Sequence, residues 1–303
     1  MAFANYPVPH LLGKIKPYPP NTPFKPDGDT VHLFDPVLLI GGQAIAPVNN
    51  QFKVPVTGST RLKTITVKNN SNGVYVPIRF SGIDAPEEHY KATPFDLVIG
   101  GHKQNFPLDP SKQHEDRSQP LWSPATQYAI NNLVSAGWAL VMLDREVTDK
   151  YQRVLGFVWS SNASGDKKKF ISLELVKRGL AFPFLFEGAL DMIPTFLGAA
   201  KTAKQQNKGV WKHYQHAPLP YSASFKAPKK HTDLEPPALM QSPLNLPMVF
   251  RRVVDAQQLK NLGLKRALQK YDAIDYPSGD FVTGDRYTQI PVERLIWAPH
   301  NFS

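Results

Sequence analysis

Arg79, Asp84 and Glu87 stand within one nine-residue run, Arg79-Phe80-Ser81-Gly82-Ile83-Asp84-Ala85-Pro86-Glu87. Arginine is a permanent cation, aspartate a hard oxygen ligand, and glutamate a base or an orienter of water. Phosphodiester hydrolysis needs those three functions, for the charge that develops on phosphorus, for a divalent ion and for the attacking water. A strand through Ile78 and Phe80, followed by a turn pinned at Pro86, would let Asp84 and Glu87 converge while Arg79 reaches the same cleft. Taken alone, the run reads equally well as a surface turn with solvated charges.

Four further segments carry related chemistry. Asp27-Gly28-Asp29-Thr30 offers two carboxylates around a tight turn, although Asp-Gly is first of all turn chemistry. Thr148-Asp149-Lys150-Tyr151-Gln152-Arg153 precedes an apolar run and offers Lys150, Tyr151 and Arg153 to a phosphate; a solvated hairpin would look much the same. Val176-Lys177-Arg178-Gly179-Leu180-Ala181 and Ala200 to Trp211 are basic helix endings.

The elements that must position these residues follow from pattern. Val31 to Phe34 and Val37 to Ile40 read as strand interrupted at Asp35-Pro36. Thr64 to Val67 and Val74 to Ile78 flank Asn69-Asn70-Ser71-Asn72-Gly73, a hairpin signal. A loop is expected from 91 to 121. Ser123-Pro124 marks a helix start with a capping serine, and Gly137 its stop. Ala139 to Leu143 and Val154 to Trp159 face one another across Asp149-Lys150-Tyr151. Helices are expected from Phe170 to Arg178 and from Phe196 to Lys208, stopping at Gly179 and Gly209. A proline-rich stretch begins near 217. A helix follows at Val253 to Tyr271, with Leu259, Leu262, Leu268 and Tyr271 as its packing side, and Tyr287 to Trp297 adds a strand. The order of strands and helices suggests a small β-barrel with packed helices.

Composition sets the bounds. The chain has 303 residues, 42% of them hydrophobic and 20% charged, which is globular and large enough for a core. A formal net charge of +10 suits a polyanionic partner. The absence of cysteine excludes disulfides, thiolate metal sites and a cysteine nucleophile. No apolar stretch approaches a membrane span. No signal peptide is visible, which gives a cytoplasmic location if the chain is complete and a secreted one if a leader was removed. His213 and His216 have no third ligand nearby and read as a polar helix end. Gly100-Gly101-His102-Lys103 lacks phosphate-loop spacing.

From about Asp27 to Trp211 the chain resembles the staphylococcal-nuclease-like (thermonuclease) family. Five segments occur in the family's order: Asp-Gly-Asp-Thr, Arg-x4-Asp-x-Pro-Glu, Asp-Lys-Tyr-x-Arg, Gly-Leu-Ala after a helix, and a terminal Gly-x-Trp. The resemblance implies an α+β, mainly β fold: an OB-type five-stranded barrel with three packed helices. It implies Asp29 and Asp84 as metal carboxylates, a backbone carbonyl ligand at Ala85, and Glu87 as general base or water-orienting group. Arg79 and Arg153 match the two arginines on the scissile phosphate, Lys150 and Tyr151 the auxiliary phosphate contacts, and Asp27 an outer carboxylate that supports the metal ligands. Oxygen-only ligands favour Ca²⁺ by hardness, with Mg²⁺ or another divalent ion also open.

Three departures stand out. The 48 residues from 31 to 78 separate Thr30 from Arg79 where the family has a short hairpin. Gln152 stands where glycine is usual. Phe182, Phe184 and Phe186 follow Gly179-Leu180-Ala181, in place of a substrate-stacking tyrosine. The expected organisation is an extended segment over 1–26, a nuclease domain over 27–216 with insertions near 41–73 and 91–121, and a linker with a helical extension over 217–303. The expected function is hydrolysis of DNA or RNA with low sequence specificity and 3′-phosphate products, by a monomer, with 217–303 open to a protein partner. The rival is a module of the same fold that binds nucleic acid or protein without cutting. A third possibility makes the extension the functional part.

Overall fold

Alternating apolar residues in five strands give each strand one face to bury, and the strands close on one another as a barrel in the computed structural model. The structure describes residues 8–17, 28–56, 60–87, 90–99, 102–111, 121–149, 151–184, 192–213, 251, 255, 258–261, 274–277 and 287–290. The strands up to the first helix are β1 (His10–Lys14), β2 (Thr30–Ile40), β3 (Gln43–Ile45), β4 (Gln51–Pro55), β5 (Leu62–Thr66), β6 (Lys68–Asn70), β7 (Gly73–Phe80), β8 (Gly82–Asp84), β9 (Phe95–Ile99) and β10 (His102–Phe106). Then come α1 (Trp122–Ala136), β11 (Trp138–Thr148), β12 (Val154–Ser161), β13 (Lys167–Phe170), α2 (Ile171–Lys177), β14 (Phe182–Phe184), α3 (Ile193–Gln205), the short α4 (Val210–His213), β15 (Ile274–Pro277) and β16 (Tyr287–Ile290).

The barrel runs β1–β2–β7–β12–β11 and returns to β1, with every step antiparallel except the parallel β7–β12 pair. Closure leaves the five strands without free edges. Leu11, Val31, Leu33, Val76, Ile78, Phe80, Val141, Val154 and Val158 fill the interior. Ala125, Ala129 and Leu133 of α1 repeat every four residues and present one helical face to the same core, where α2 adds Leu175 and α3 adds Phe196 and Ala200. Among the described residues no helix is long and apolar enough to cross a membrane.

The insertion between Thr30 and Arg79 is built into this core. β2 turns back on β3 at Gly41-Gly42, with Ile40 opposite Gln43, and β4 pairs with β5 from Gln51–Thr66 to Pro55–Leu62. Phe52, Val54, Ile65 and Val67 are buried in the main cluster. Each such side chain is worth about 1.5–3 kcal/mol when fully buried.

Several local expectations are corrected. Thr64 and Ile65 pair with β4, and the strand facing β7 is Lys68–Asn70. β2 is not interrupted at Asp35-Pro36; it is one strand whose Asp35 takes φ 47, opposite a bulge between Leu12 and Lys14. The loop expected over 91–121 contains the β9–β10 hairpin. Ser123 does not cap α1: the helix starts at Trp122, its N-cap Leu121 makes no side-chain cap bond, and Ser123 sits inside the first turn. α3 begins at Ile193 rather than Phe196. Within the extended segment expected over 1–26, His10–Lys14 form the barrel strand β1. Arg251, Asp255 and Gln258 are helical, while Leu262, Leu268 and Tyr271 lie outside the described residues.

Gly179 and Gly209 meet where the ends of α2 and α3 cross. The Val210 N–H donates to the Gly179 carbonyl at 2.7 Å, and both glycines have positive φ, 66 and 49. A Cβ on Gly209 would lie 2.1 Å from the Gly179 oxygen. The Gly-Leu-Ala and Gly-x-Trp segments are therefore one backbone crossing that only glycine allows. Gly209→Ala should lower stability by roughly 2 kcal/mol or more, read from urea unfolding, because strain and overlap add.

His32 lies on Tyr75 with ring centroids 4.2 Å apart. Burial, with Lys68 adding to it, lowers its pKa from 6.5 to about 4. The unfolded chain thus binds a proton that the folded chain resists. The stability due to neutral His32 is complete above pH 6.5 and is lost as pH falls toward 4. His32→Phe should lose less urea stability than the parent over that acid window.

Candidate functional site

Strand alternation places Arg79. Its neighbours Ile78 and Phe80 point into the barrel, so Arg79 projects from the opposite face of β7. In register it faces Thr30 on β2 and Leu155 on β12. The Phe80 N–H donates to the Asp29 carbonyl at 2.7 Å, which fixes Asp29 at the mouth of β2. Gly28 makes this approach possible, since a Cβ there would come 2.7 Å from the Ala85 Cβ and 2.8 Å from that of Ala125.

Asp29 and Asp84, only 4% and 2% exposed, both meet the Arg79 guanidinium. Nη1 pairs with Asp29 Oδ2, and Nη2 donates to Asp84 Oδ1 at 2.7 Å. The Ala85 N–H donates to Asp29 Oδ2 at 2.9 Å, tying the two loops together. Asp84 is held from behind by β14, where it pairs with Phe182. Phe182 is buried and packs edge-on against Trp211 at 5.4 Å, so it is core; Phe186 lies outside the described residues.

On its other side Asp84 meets Arg251. Arg251 Nη2 lies 3.4 Å from Asp84 Oδ2, and Nη1 pairs with Glu87 Oε1. Burial opposes the charge on Arg251, but Asp84 and Glu87 more than offset it and hold the guanidinium above its ordinary pKa. Asp29, Arg79, Asp84, Arg251 and Glu87 thus form a row of alternating charge.

Arg153 joins from the β11–β12 connection. Its Nη1 donates to Thr30 Oγ1 at 3.3 Å, and that hydroxyl donates to Asp29 Oδ1 at 3.3 Å. Asp149 sets the arginine: its carboxylate accepts from the Tyr151 N–H and the Arg153 N–H, each at 2.9 Å, and from Arg153 Nε at 2.8 Å. Gln152 has φ 62, the left-handed conformation that glycine adopts without strain. Tyr151 is 64% exposed, with the Arg153 guanidinium 5.5 Å over its ring.

The structure therefore brings together Asp29, Arg79, Asp84, Ala85, Glu87 and Arg153. Asp27 and Lys150 lie outside the described residues. Sequence reasoning missed Asp149, although it quoted its segment, and Arg251, whose only signal was a polar i, i+4, i+7 stripe with Asp255 and Gln258. Among the described residues no group of three or more His, Cys, Asp or Glu side chains converges as a metal centre. Two buried carboxylates do share one cationic partner, and that oxygen pair fits a hard divalent ion whose remaining ligands are backbone, water or phosphate oxygens.

The model of the family described as Staphylococcal nuclease homologue matches residues 77–213. That span holds Arg79, Asp84, Glu87 and Arg153, and it begins after Asp29 and ends before Arg251. No curated protein matches the chain.

Asp149→Ala should remove three hydrogen bonds at once and release Arg153. The loss of stability should be at least about 1.5–3 kcal/mol, the usual worth of one hydrogen bond to a charged group, measured by urea unfolding.

Proposed function

Residues 77–213 match the family of Staphylococcal nuclease homologues, which suggests a nuclease-type or nucleic-acid-binding module, and from that premise we propose that the protein hydrolyses phosphodiester bonds of DNA or RNA. The observation that carries this reading is the placement of Arg79 between Asp29 and Asp84, with Arg153 linked to the same cluster through Thr30. Two guanidinium forks beside two metal-type carboxylates match what a phosphodiester presents, two anionic oxygens and a phosphorus open to water.

In this reading Arg79 and Arg153 bind the scissile phosphate and take up the charge that develops as water attacks phosphorus. Glu87 orients that water or accepts its proton, and the P–O bond to the leaving 5′ oxygen breaks, that oxygen taking a proton from solvent to give a 5′-hydroxyl and leaving a 3′-phosphate. Asp29, Asp84 and the Ala85 carbonyl would hold a divalent ion, Ca²⁺ by hardness or Mg²⁺. When bound, the ion supplies charge neutralisation at the phosphate and a fixed place for water. Tyr151, exposed beside Arg153, contacts the flanking backbone, and Lys150 adds a further cation on the same connection. Since these groups address the backbone, low base specificity follows.

The pairing of Arg251 with Glu87 favours a second reading, a module that binds nucleic acid without cutting, because an engaged carboxylate is a poorer base.

Cleavage of single-stranded DNA should require a divalent ion and stop in a chelator. Arg79→Ala, Arg153→Ala and Glu87→Ala should each lower kcat by about 10²–10³, the scale for removing one charge-stabilising group. A folded protein that cuts nothing under any divalent ion would leave only the binding module.

A further inference from the structure

Arg251 comes from outside every segment that carries the family resemblance, yet it stands against two site carboxylates. Its place is set by contacts of its own helix. Arg251, Asp255 and Gln258 are helical and spaced to share one face. Tyr90 Oη donates to Asp255 Oδ1 at 2.9 Å. Gln258 Oε1 accepts from the Ala92 N–H at 3.1 Å, and the Gln258 carbonyl accepts from the Asp109 N–H at 2.9 Å. The Lys260 N–H donates to the Pro107 carbonyl at 2.9 Å, and Leu259 bridges Leu108. Asp255, Gln258 and Leu259 are all buried. None of these anchors involves Asp84 or Glu87, so the helix has its own grip on residues 90–109 whatever Arg251 itself binds.

The second observation is how Asp84 is shared. Arg79 takes Oδ1 and Arg251 takes Oδ2, so two guanidiniums flank one carboxylate. Asp29, Asp84 and Glu87 carry three negative charges against two on the arginines. A phosphodiester beside Asp84 offers both forks the same paired-oxygen geometry that the carboxylate offers now.

We propose that Arg251 is a third phosphate-binding arginine of this site, delivered by the C-terminal helix, with a nucleic-acid backbone phosphate as its ligand. This rests on the nucleic-acid reading above. Arg251 exchanges a carboxylate for a phosphate oxygen while Asp255, Gln258 and Leu259 keep the helix docked.

The test uses the full chain and a labelled single-stranded oligonucleotide, with binding followed by fluorescence anisotropy in a chelator over a salt series. Arg251→Ala should weaken binding about tenfold and lower the slope of log K against log salt by about 0.7, the value for one lost contact to a single strand. Arg251→Lys should keep the slope and recover part of the affinity. It also stands in if Arg251→Ala does not fold, in which case an affinity equal to the parent's would count against the fork. Gln258→Ala, which loosens the helix without touching Arg251, should fall between the parent and Arg251→Ala. With a divalent ion present, kcat/KM should drop about 10–100-fold in Arg251→Ala, within the range for groups on a transferring phosphoryl. A parent that binds while Arg251→Ala binds equally, with the same slope, overturns the proposal and leaves the proposed function standing. So does a rise in kcat/KM, which would mark Arg251 as a plug. A parent that binds but does not cut, with the slope change kept, removes the enzyme reading alone. A parent that neither binds nor cuts removes both.

Discussion

The parallel pairing of β7 with β12 is the contact on which the site depends. It closes the barrel, and in the same stroke it sets Arg79 between Thr30 and Leu155. Asp29 precedes Thr30 and Arg153 precedes the start of β12, so both reach Arg79 through that register. A slip of one residue on β7 would turn Arg79 into the core and push Ile78 and Phe80 out of it, which makes the core the guardian of the site's geometry. The turn after Phe80 is tied to the same strand, since the Ser81 N–H donates to the Gly156 carbonyl of β12 at 2.8 Å.

Burial of charge is the second constraint. Carboxylates as enclosed as Asp29 and Asp84 are tolerable only when paired and hydrogen-bonded. Each shares the Arg79 guanidinium, Asp29 adds a backbone N–H, and Asp84 adds Arg251. The same enclosure raises the strength of each interaction that a substrate phosphate could make there. Stability and the proposed chemistry therefore draw on one set of contacts, and Thr30 carries that set across to Arg153.

Much of the site was legible because its parts are local. Arg79 to Glu87 could be read from strand alternation and a proline turn, and Arg153 from a turn before an apolar run. The link to Asp29 needed the barrel, since 49 residues separate it from Arg79, and the apolar content of that insertion gave no hint that Phe52 and Val54 complete the main core. The start of α1 was misread because Ser123 and Pro124 fit the first turn as well as the cap. Arg251 was invisible for a different reason. Its partner Glu87 lies 164 residues away, and beside the leucines expected to pack, the polar residues Arg251, Asp255 and Gln258 also make contacts. A proline-rich stretch before it suggested separation, whereas the backbone of Asp109 and Ala92 receives it directly.

The grip of the C-terminal helix on residues 90–109 also has a consequence in time. A chain emerging from the ribosome can close its barrel once β12 has appeared, and can bring Asp29, Arg79, Asp84 and Arg153 together then. Arg251, which pairs with Glu87, is made nearly a hundred residues later than Arg153. The cluster of acids at the mouth of the barrel is thus assembled in two stages, first around Arg79 and, once Arg251 arrives, around both arginines.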